Sequence, residues 1–426
     1  MKRFVFVLIV AHSCLFSATR NVWSNGVIRD SMGATSSGRG GTNIGHSDTG
    51  TIILDNPAAM VNIHGTGLSE FGIDTVITDL DYTDPENNAA TKTRPGVLPE
   101  ISIIRKSSDG RWAFGLGAYA PAGYSATWTL NSPLFGTNAY KSFGALGKLM
   151  PAVAFRVTDQ LSFGATFGVA VSHLEFESPF FLQTGAVRGV PGILDLKGTG
   201  VTPTWSVGTQ YQLSSRTTIG ARFIGKTQFD YDGRFRAKVL GLGPQPVESN
   251  FDAEIELAWP SSAGAGIAHW LGDCQRISAD IVWYDWSHAY DKMGLTLTNA
   301  SNPLFTNMLG PVIKDSFPLG WENSVSVRLG YEIFLRNCNV CRVGYVHNTR
   351  NLPSSTLTPL IPATLEHTVS VGYGKQWCDW RFDFAYQYSF APDRTVGTSA
   401  LVGGDFTGSA IEAQAHWINL SLMRQF

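Results

Sequence analysis

Trp417-Ile-Asn-Leu-Ser-Leu-Met-Arg-Gln-Phe426 places Ile418, Leu420, Leu422 and Phe426 on one side of a strand and stops on an aromatic residue. A soluble domain gains nothing from ending mid-strand on a bare aromatic carboxylate, because termini fray. The ending therefore predicts the closing strand of a bacterial outer-membrane β-barrel. The other end agrees: Met1-Lys-Arg, the apolar run 4–10 and the small residues Ala11, Ser13, Ser17 and Ala18 have the layout of a secretory signal peptide, expected over residues 1–20. Cys14 is expected to leave with it.

Beyond residue 20 no run of about 18 apolar residues occurs, so no helix is predicted to span a bilayer. A membrane chain of this kind can only be a closed barrel, because every amide in lipid must be paired. The composition suits one: 43% hydrophobic, 12% aromatic, only 15% charged, with 45 glycines. A net charge of −2 points to no nucleic acid or other polyanion. No linker or shift in composition divides the chain into soluble domains.

Alternation supports the barrel. From Leu161 to Val171 the odd positions are all apolar, while Ser162, Gly164, Thr166, Gly168 and Ala170 fill the even ones. Val325, Val327, Leu329, Tyr331 and Ile333 alternate with Ser326, Arg328, Gly330 and Glu332, and Trp380 to Tyr388 repeat the pattern around Arg381 and Asp383. One face in lipid and one in a polar lumen gives this pattern. Short polar turns are expected at 107–110, 158–160, 214–216, 272–275, 336–339 and 376–379. Long loops are expected near 122–148, 177–198, 237–248, 291–321, 349–364 and 392–411, the asymmetry of outer-membrane barrels. The count from Thr66 to Phe426 is about fourteen strands, an even number.

If Phe426 closes against a first strand near Thr66, residues 21–65 have no place in the wall. That stretch contains Ser31-Met-Gly-Ala-Thr-Ser-Ser-Gly-Arg-Gly-Gly-Thr42 and then Leu54-Asp-Asn-Pro-Ala-Ala-Met60. Here the chain resembles the FadL family of outer-membrane transporters for hydrophobic compounds, in which a glycine-paired segment leads to an Asn-Pro-Ala motif. Gly40, Gly41, Asn56, Pro57 and Ala58 carry the match, and Gly33 lies in the same segment. The resemblance implies an all-β transmembrane barrel (66–426) plugged by a hatch (21–65), with a monomer moving hydrophobic molecules, fatty acids first and aromatic hydrocarbons next. Physically, the glycines permit close backbone packing, and Pro57 holds Asn56 extended.

Two regions suit a ligand. Loop 177–198 is far too apolar for a connector, with Phe180, Phe181, Leu182, Ile193 and Leu194. The resemblance implies a capture groove there. Pro121 among Gly115, Gly117 and Gly123 predicts a kink in the third strand, and in the family such a kink opens the wall sideways into the membrane. Cys274, Cys338, Cys341 and Cys378 are expected in the short turns on one rim, where an oxidising compartment favours disulfides. Cys274 with Cys338 and Cys341 with Cys378 is one pairing, and Cys338 with Cys341 another.

Nothing predicts an enzyme. His173, His288, His367 and His416 are scattered, with no nucleophile, base and orienter at any recognisable spacing. Gly38-x-Gly40 lacks a dinucleotide-binding context. Arg276, Asp280, Arg328, Glu332, Arg381 and Asp383 are expected to pair within the lumen. No metal or cofactor is expected, and the surroundings are outer-membrane lipid. A general porin and a structural or adhesive barrel are the competing readings.

Overall fold

A computed structural model describes residues 27–91, 95–183, 188–240 and 245–426. The expected signal segment 1–20, and Cys14 with it, lie outside that description. The described chain closes into a single antiparallel barrel of fourteen staves. These are β1 (Gly67–Thr83), β2 (Gly96–Lys106), β3 (Trp112–Ser132), β4 (Gly136–Arg156), β5 (Leu161–Phe181) and β6 (Pro191–Ser214). Four interrupted staves follow: β7 (Thr217–Ile224, Thr227–Val239), β8 (Val247–Trp259, Ser262–Trp270), β9 (Gln275–Tyr284, Lys292–Thr298) and β10 (Val312–Pro318, Ser324–Leu335). The last are β11 (Asn339–Asn348), β12 (His367–Trp377), β13 (Trp380–Phe390) and β14 (Ala410–Gln425). Closure runs from Leu68↔Gln425 to Thr83↔Ala410, and the Phe426 carbonyl accepts from the Thr66 and Gly67 amides.

The alternation falls as expected. Phe163, Phe167, Val169 and Val171 are exposed on the lipid face of β5, while Ser162, Thr166 and Ala170 are buried toward the lumen. The breaks in β7 to β10, at 225–226, 260–261, 285–291 and 319–323, lie side by side and reverse this sense. Below them the odd residues Ile267, Ile281, Val327 and Leu329 face lipid. Above them the even residues face out and are charged, Asp230, Asp232, Arg234 and Arg236 on β7 and Glu254 and Glu256 on β8, while Phe229, Tyr231, Phe235, Ile255 and Leu257 turn inward. An irregular residue shifts the side-chain phase by one and moves every side chain to the other face. The barrel is thus polar inside where it meets lipid and apolar inside where it stands in water.

Three expected loops are corrected by this geometry. Residues 122–148 form a hairpin of β3 and β4 with only residues 133–135 at its tip. Most of 177–198 is ladder, with Pro179 opposite Ile193 and Ser178 opposite Leu194. Residues 291–321 hold the upper parts of β9 and β10 around a short helix, α1 (Pro303–Leu309). The upper staves look like loops in sequence because their outer face is charged.

Candidate functional site: the plugged lumen and its cavities

Residues 27–65 fill the lumen. Gly33, Gly40 and Gly41 all have positive φ, a conformation glycine adopts without strain. Gly40 lies flat on the wall: a Cβ there would come within 2.7 Å of the Leu329 carbonyl oxygen and the Tyr345 amide. Asn56 joins three pieces of chain. Its amide donates to the carbonyls of Ile44 (2.9 Å) and Thr209 (3.0 Å), and its side-chain oxygen accepts from the Ala58 amide at 3.3 Å. Pro57 and Ala58 begin a buried 3-10 turn, Pro57–Asn62, packed against β5 near Gly164.

Charge fixes the hatch in place. Asp48 accepts from Arg39 (2.9 Å) and from Arg276 of β9 (2.6 Å). The chain of pairs continues around the wall, Arg276 to Glu332 at 2.6 Å, Arg342 to Glu332 at 3.0 Å, Arg342 to Asp383 at 2.7 Å and Arg381 to Asp383 at 2.6 Å. Burial alone would raise the Asp48 carboxyl, but the guanidinium groups of Arg39 and Arg276 outweigh it and hold it well below the usual range. His46 beside it is driven well below its ordinary value, first by burial and then by the same two arginines. His46, Asp48 and Glu332 bring possible ligand atoms within 4.8 Å of one another. The carboxylate oxygens are already taken by guanidinium groups, which argues against a cation there.

The wall is open beside this plug. β2 and β3 pair only from Ile101↔Ala118 to Lys106↔Ala113. Above Ala118, β3 bulges between Tyr119 and Ala122, and no ladder joins it to residues 96–100 of β2 among the described residues. Residues 27–29 occupy the free edge instead: Ile28 bridges Ala122, the Arg29 amide donates to the Pro121 carbonyl at 3.0 Å, and the Gly123 amide donates to the Val27 carbonyl at 3.1 Å. The Arg29 guanidinium pairs with Asp74 and lies 5.2 Å above the Trp417 ring. Of the four residues expected to mark a wall opening, Pro121 and Gly123 border this gap. Gly115 and Gly117 sit lower, in the paired section opposite Ile104 and Ser102.

An inner cavity of about 280 Å³ lies at the gap, lined by Leu98, Ala122, Tyr124, Phe143, Leu365 and Trp417 among others. A smaller hollow continues from it and holds Lys148 and Arg222. Arg222 pairs with Asp55 of the hatch at 3.3 Å, whereas Lys148, buried, has no carboxylate partner among the described residues. Nearer the extracellular end an outer cavity is lined by Phe176, Phe180, Phe181, Leu194, Tyr290 and Trp321. Residues 358–365 divide the two, with Leu360 and Ile361 on the outer side and Pro362 and Leu365 on the inner. Of the residues expected to bind cargo, Phe180, Phe181 and Leu194 line the outer cavity; Leu182 and Ile193 do not.

A family model described as outer membrane protein transport protein (OMPP1/FadL/TodX) matches residues 15–426. The chain belongs to this family. It is an outer-membrane protein of a family that transports hydrophobic compounds. Among solved structures, a Pseudomonas aeruginosa FadL homologue is 17% identical with a TM-score of 0.77, covering 94% of this chain and 100% of its own. The P. putida toluene transporter TodX is 19% identical with a TM-score of 0.77, covering 93% and 99%. The Ralstonia pickettii toluene transporter TbuX is 18% identical with a TM-score of 0.74, again covering 93% and 99%. These likenesses establish the fold. A search of the curated proteins finds no match.

In this FadL-family barrel the expected placement of one cysteine is corrected. Cys274, Cys338, Cys341 and Cys378 are all unbonded. Cys341 is not in a turn but inside β11, opposite Ile333 and Tyr373. Arg29, Asp74 and Lys148 were missed in the sequence because each is an isolated charge in an ordinary alternating segment. Only the fold brings them to the cavities.

Proposed function

We propose that this barrel passes hydrophobic molecules, long-chain fatty acids foremost, by diffusion from the outer cavity to the inner one and out sideways into the membrane between β2 and β3. The observation that carries the reading is the interrupted β2–β3 ladder opening onto an apolar cavity. The axial route is filled by residues 31–62, which speaks against a general porin. Lys148, next to Arg222 and without a carboxylate partner among the described residues, suits the carboxylate of an acid whose chain lies in the inner cavity. An aromatic hydrocarbon is the second reading, favoured by the phenylalanines of the outer cavity.

Ile28 and Ala122 face each other as a pair without direct hydrogen bonds, the close arrangement of an antiparallel ladder. A disulfide in the variant Ile28→Cys/Ala122→Cys is expected to pin the N-terminal segment in the gap and stop fatty-acid uptake into proteoliposomes, with reductant restoring it. Full uptake by the oxidised protein would rule out exit at this gap. Lys148→Met separates the cargo readings, with an expected loss of about tenfold in affinity for a fatty acid relative to toluene.

A further inference from the structure

The two ends of the route differ in charge. The inner cavity opens onto the hollow of Lys148 and Arg222, whereas the outer one is lined by Asp315 and Asp405 and, among the described residues, by no lysine, arginine or histidine. Its other walls are largely apolar, with rings from Phe181, Phe317 and Phe406. Asp315 lies on the upper part of β10 between Ile313 and Phe317, and the alternation of that stave turns all three inward while Val312 and Lys314 are exposed. Its carboxylate accepts from the Ser316 amide at 2.8 Å and the Gln183 amide at 3.4 Å.

Asp405 reaches the cavity on the connection between β13 and β14, residues 391–409. Packing on both sides fixes that stretch. Gly403, with φ 95°, lies so close to the Phe181 ring that a Cβ there would run into it. Phe406 sits between the rings of Tyr82 and Tyr140, at centroid distances of 6.5 and 6.3 Å. The Val402 amide adds a hydrogen bond to the Gln183 side chain at 2.9 Å. Between these anchors the Asp405 carboxylate has no ion pair and no hydrogen bond among the described residues, yet both its oxygens keep accessible surface, so a molecule can reach them. The titratable groups around it are Tyr140 of β4, Tyr82 of β1 with its partner Asp84, and Asp315 in the same cavity, and none of them is a base. Burial alone pushes the Asp405 carboxyl up to about 6, so it is ionised at neutral pH.

A lone charge on an apolar wall acts far more strongly on a second charge than it would in water. Aromatic faces beside it add to its attraction for a cation. We infer that the outer cavity is a charge filter centred on Asp405, favouring hydrophobic amines over neutral cargo of the same shape and neutral cargo over carboxylates. This rests on the transport reading above and adds a cargo class to it. The filter lies ahead of the partition at 358–365, so it acts at capture. A fatty acid then passes it as the neutral acid, and Lys148 and Arg222 beyond the partition favour the ionised form.

Phenylbutylamine, phenylbutanol and phenylbutyrate share a ring and a four-carbon chain, and at pH 8 their head groups are positive, neutral and negative. Binding to the purified full-length barrel and uptake into proteoliposomes are measured for all three, with wild type, Asp405→Asn and Asp405→Glu. The folded band on unheated gels confirms that each variant assembles. Wild type and Asp405→Glu are expected to bind the amine about tenfold more tightly than the alcohol, and the carboxylate weakest. Asp405→Asn keeps the shape, removes the charge and is expected to bring the three affinities together. At pH 5 the preference of wild type for the amine over the alcohol is expected to shrink, because Asp405 takes up a proton on passing about pH 6 while neither compound changes charge. A wild-type order that does not follow charge, or the same order in Asp405→Asn, overturns the inference. If the alcohol is then taken up and the Ile28→Cys/Ala122→Cys lock stops it, the transport reading survives without the filter. Charge-ordered binding with uptake of none of the three keeps the filter and overturns the transport reading.

Discussion

At the residue scale the hatch is held by a few side chains with several duties each. Asn56 was legible in the sequence as the start of an Asn-Pro-Ala turn, which accounts for its bond to Ala58. The sequence did not show that the same side chain ties the Ile44 turn to β6 at Thr209, because those partners are 12 and 153 residues away. Asn56→Ala removes both donors, and with them the hydrogen bonds to the Ile44 and Thr209 carbonyls. The expected loss is about 2 to 4 kcal/mol of local hatch stability, read as lost hydrogen-exchange protection at residues 42–60 while barrel amides keep theirs. His46 gives the hatch a pH dependence of defined sign. Its folded pKa lies below the unfolded value of about 6.5, so the unfolded segment binds the extra proton. Hatch stability is then full above about pH 6.5 and falls as pH drops toward the folded pKa. Hydrogen exchange of hatch amides between pH 8 and 5 is expected to accelerate on the acid side, and His46→Gln to flatten that slope. An unchanged slope in the variant would remove His46 from the account.

At the scale of elements, the staves were readable and their reach was not. Alternation placed the lipid and lumen faces of β5, β10 and β13 correctly, since each crosses the membrane in one phase. The upper halves of β7 to β10 were read as loops because a charged outer face over an aromatic inner face is the pattern of a water-exposed sheet, not of a barrel in lipid. The interruptions reconcile the two phases, and β7 shows it most simply with only Gly225 and Lys226. Deleting Gly225 and Lys226 together joins Ile224 to Thr227, which both face inward, and so turns Phe229, Tyr231 and Phe235 outward, or else turns Ile219 of the lower half inward. Loss of the heat-modifiable folded band is the expected result, whereas Lys226→Ala, which loses only the bond to the His288 carbonyl, is expected to assemble. A deletion variant that assembles normally would show that the break does not set the phase.

At the scale of the whole molecule, plug and barrel are matched in charge as well as shape. Glu70 and Asp74 of β1 and Glu100 of β2 make one arc of the lumen acidic. The far arc, β7 to β11, carries Arg222, Arg276, Arg328 and Arg342 against Asp280 and Glu332. The hatch presents Arg29 to the first arc and Asp30, Asp48 and Asp55 to the second, through Arg29–Asp74, Asp30–Arg328 at 3.7 Å, Asp48–Arg276 at 2.6 Å and Asp55–Arg222 at 3.3 Å. Breaking one buried pair from one side leaves an uncompensated charge and costs more than the pair is worth. The hatch thus has one favourable orientation, and rotating it would set like charges face to face. Asp74→Arg opposes Arg29 with a like charge at the edge of the wall gap, so residues 27–30 should leave their bridge to β3 and the lumen should leak. Swelling of liposomes in small sugars is expected to rise in this variant from the near-zero rate of the plugged barrel. Restoring the pair in reverse, with Arg29→Asp added, should return most of the seal, because the two positions again attract. If the double variant leaks as much as the single one, the loss came from disrupted packing around Trp417 and the Gly33 amide, and complementary charge is not what orients the plug.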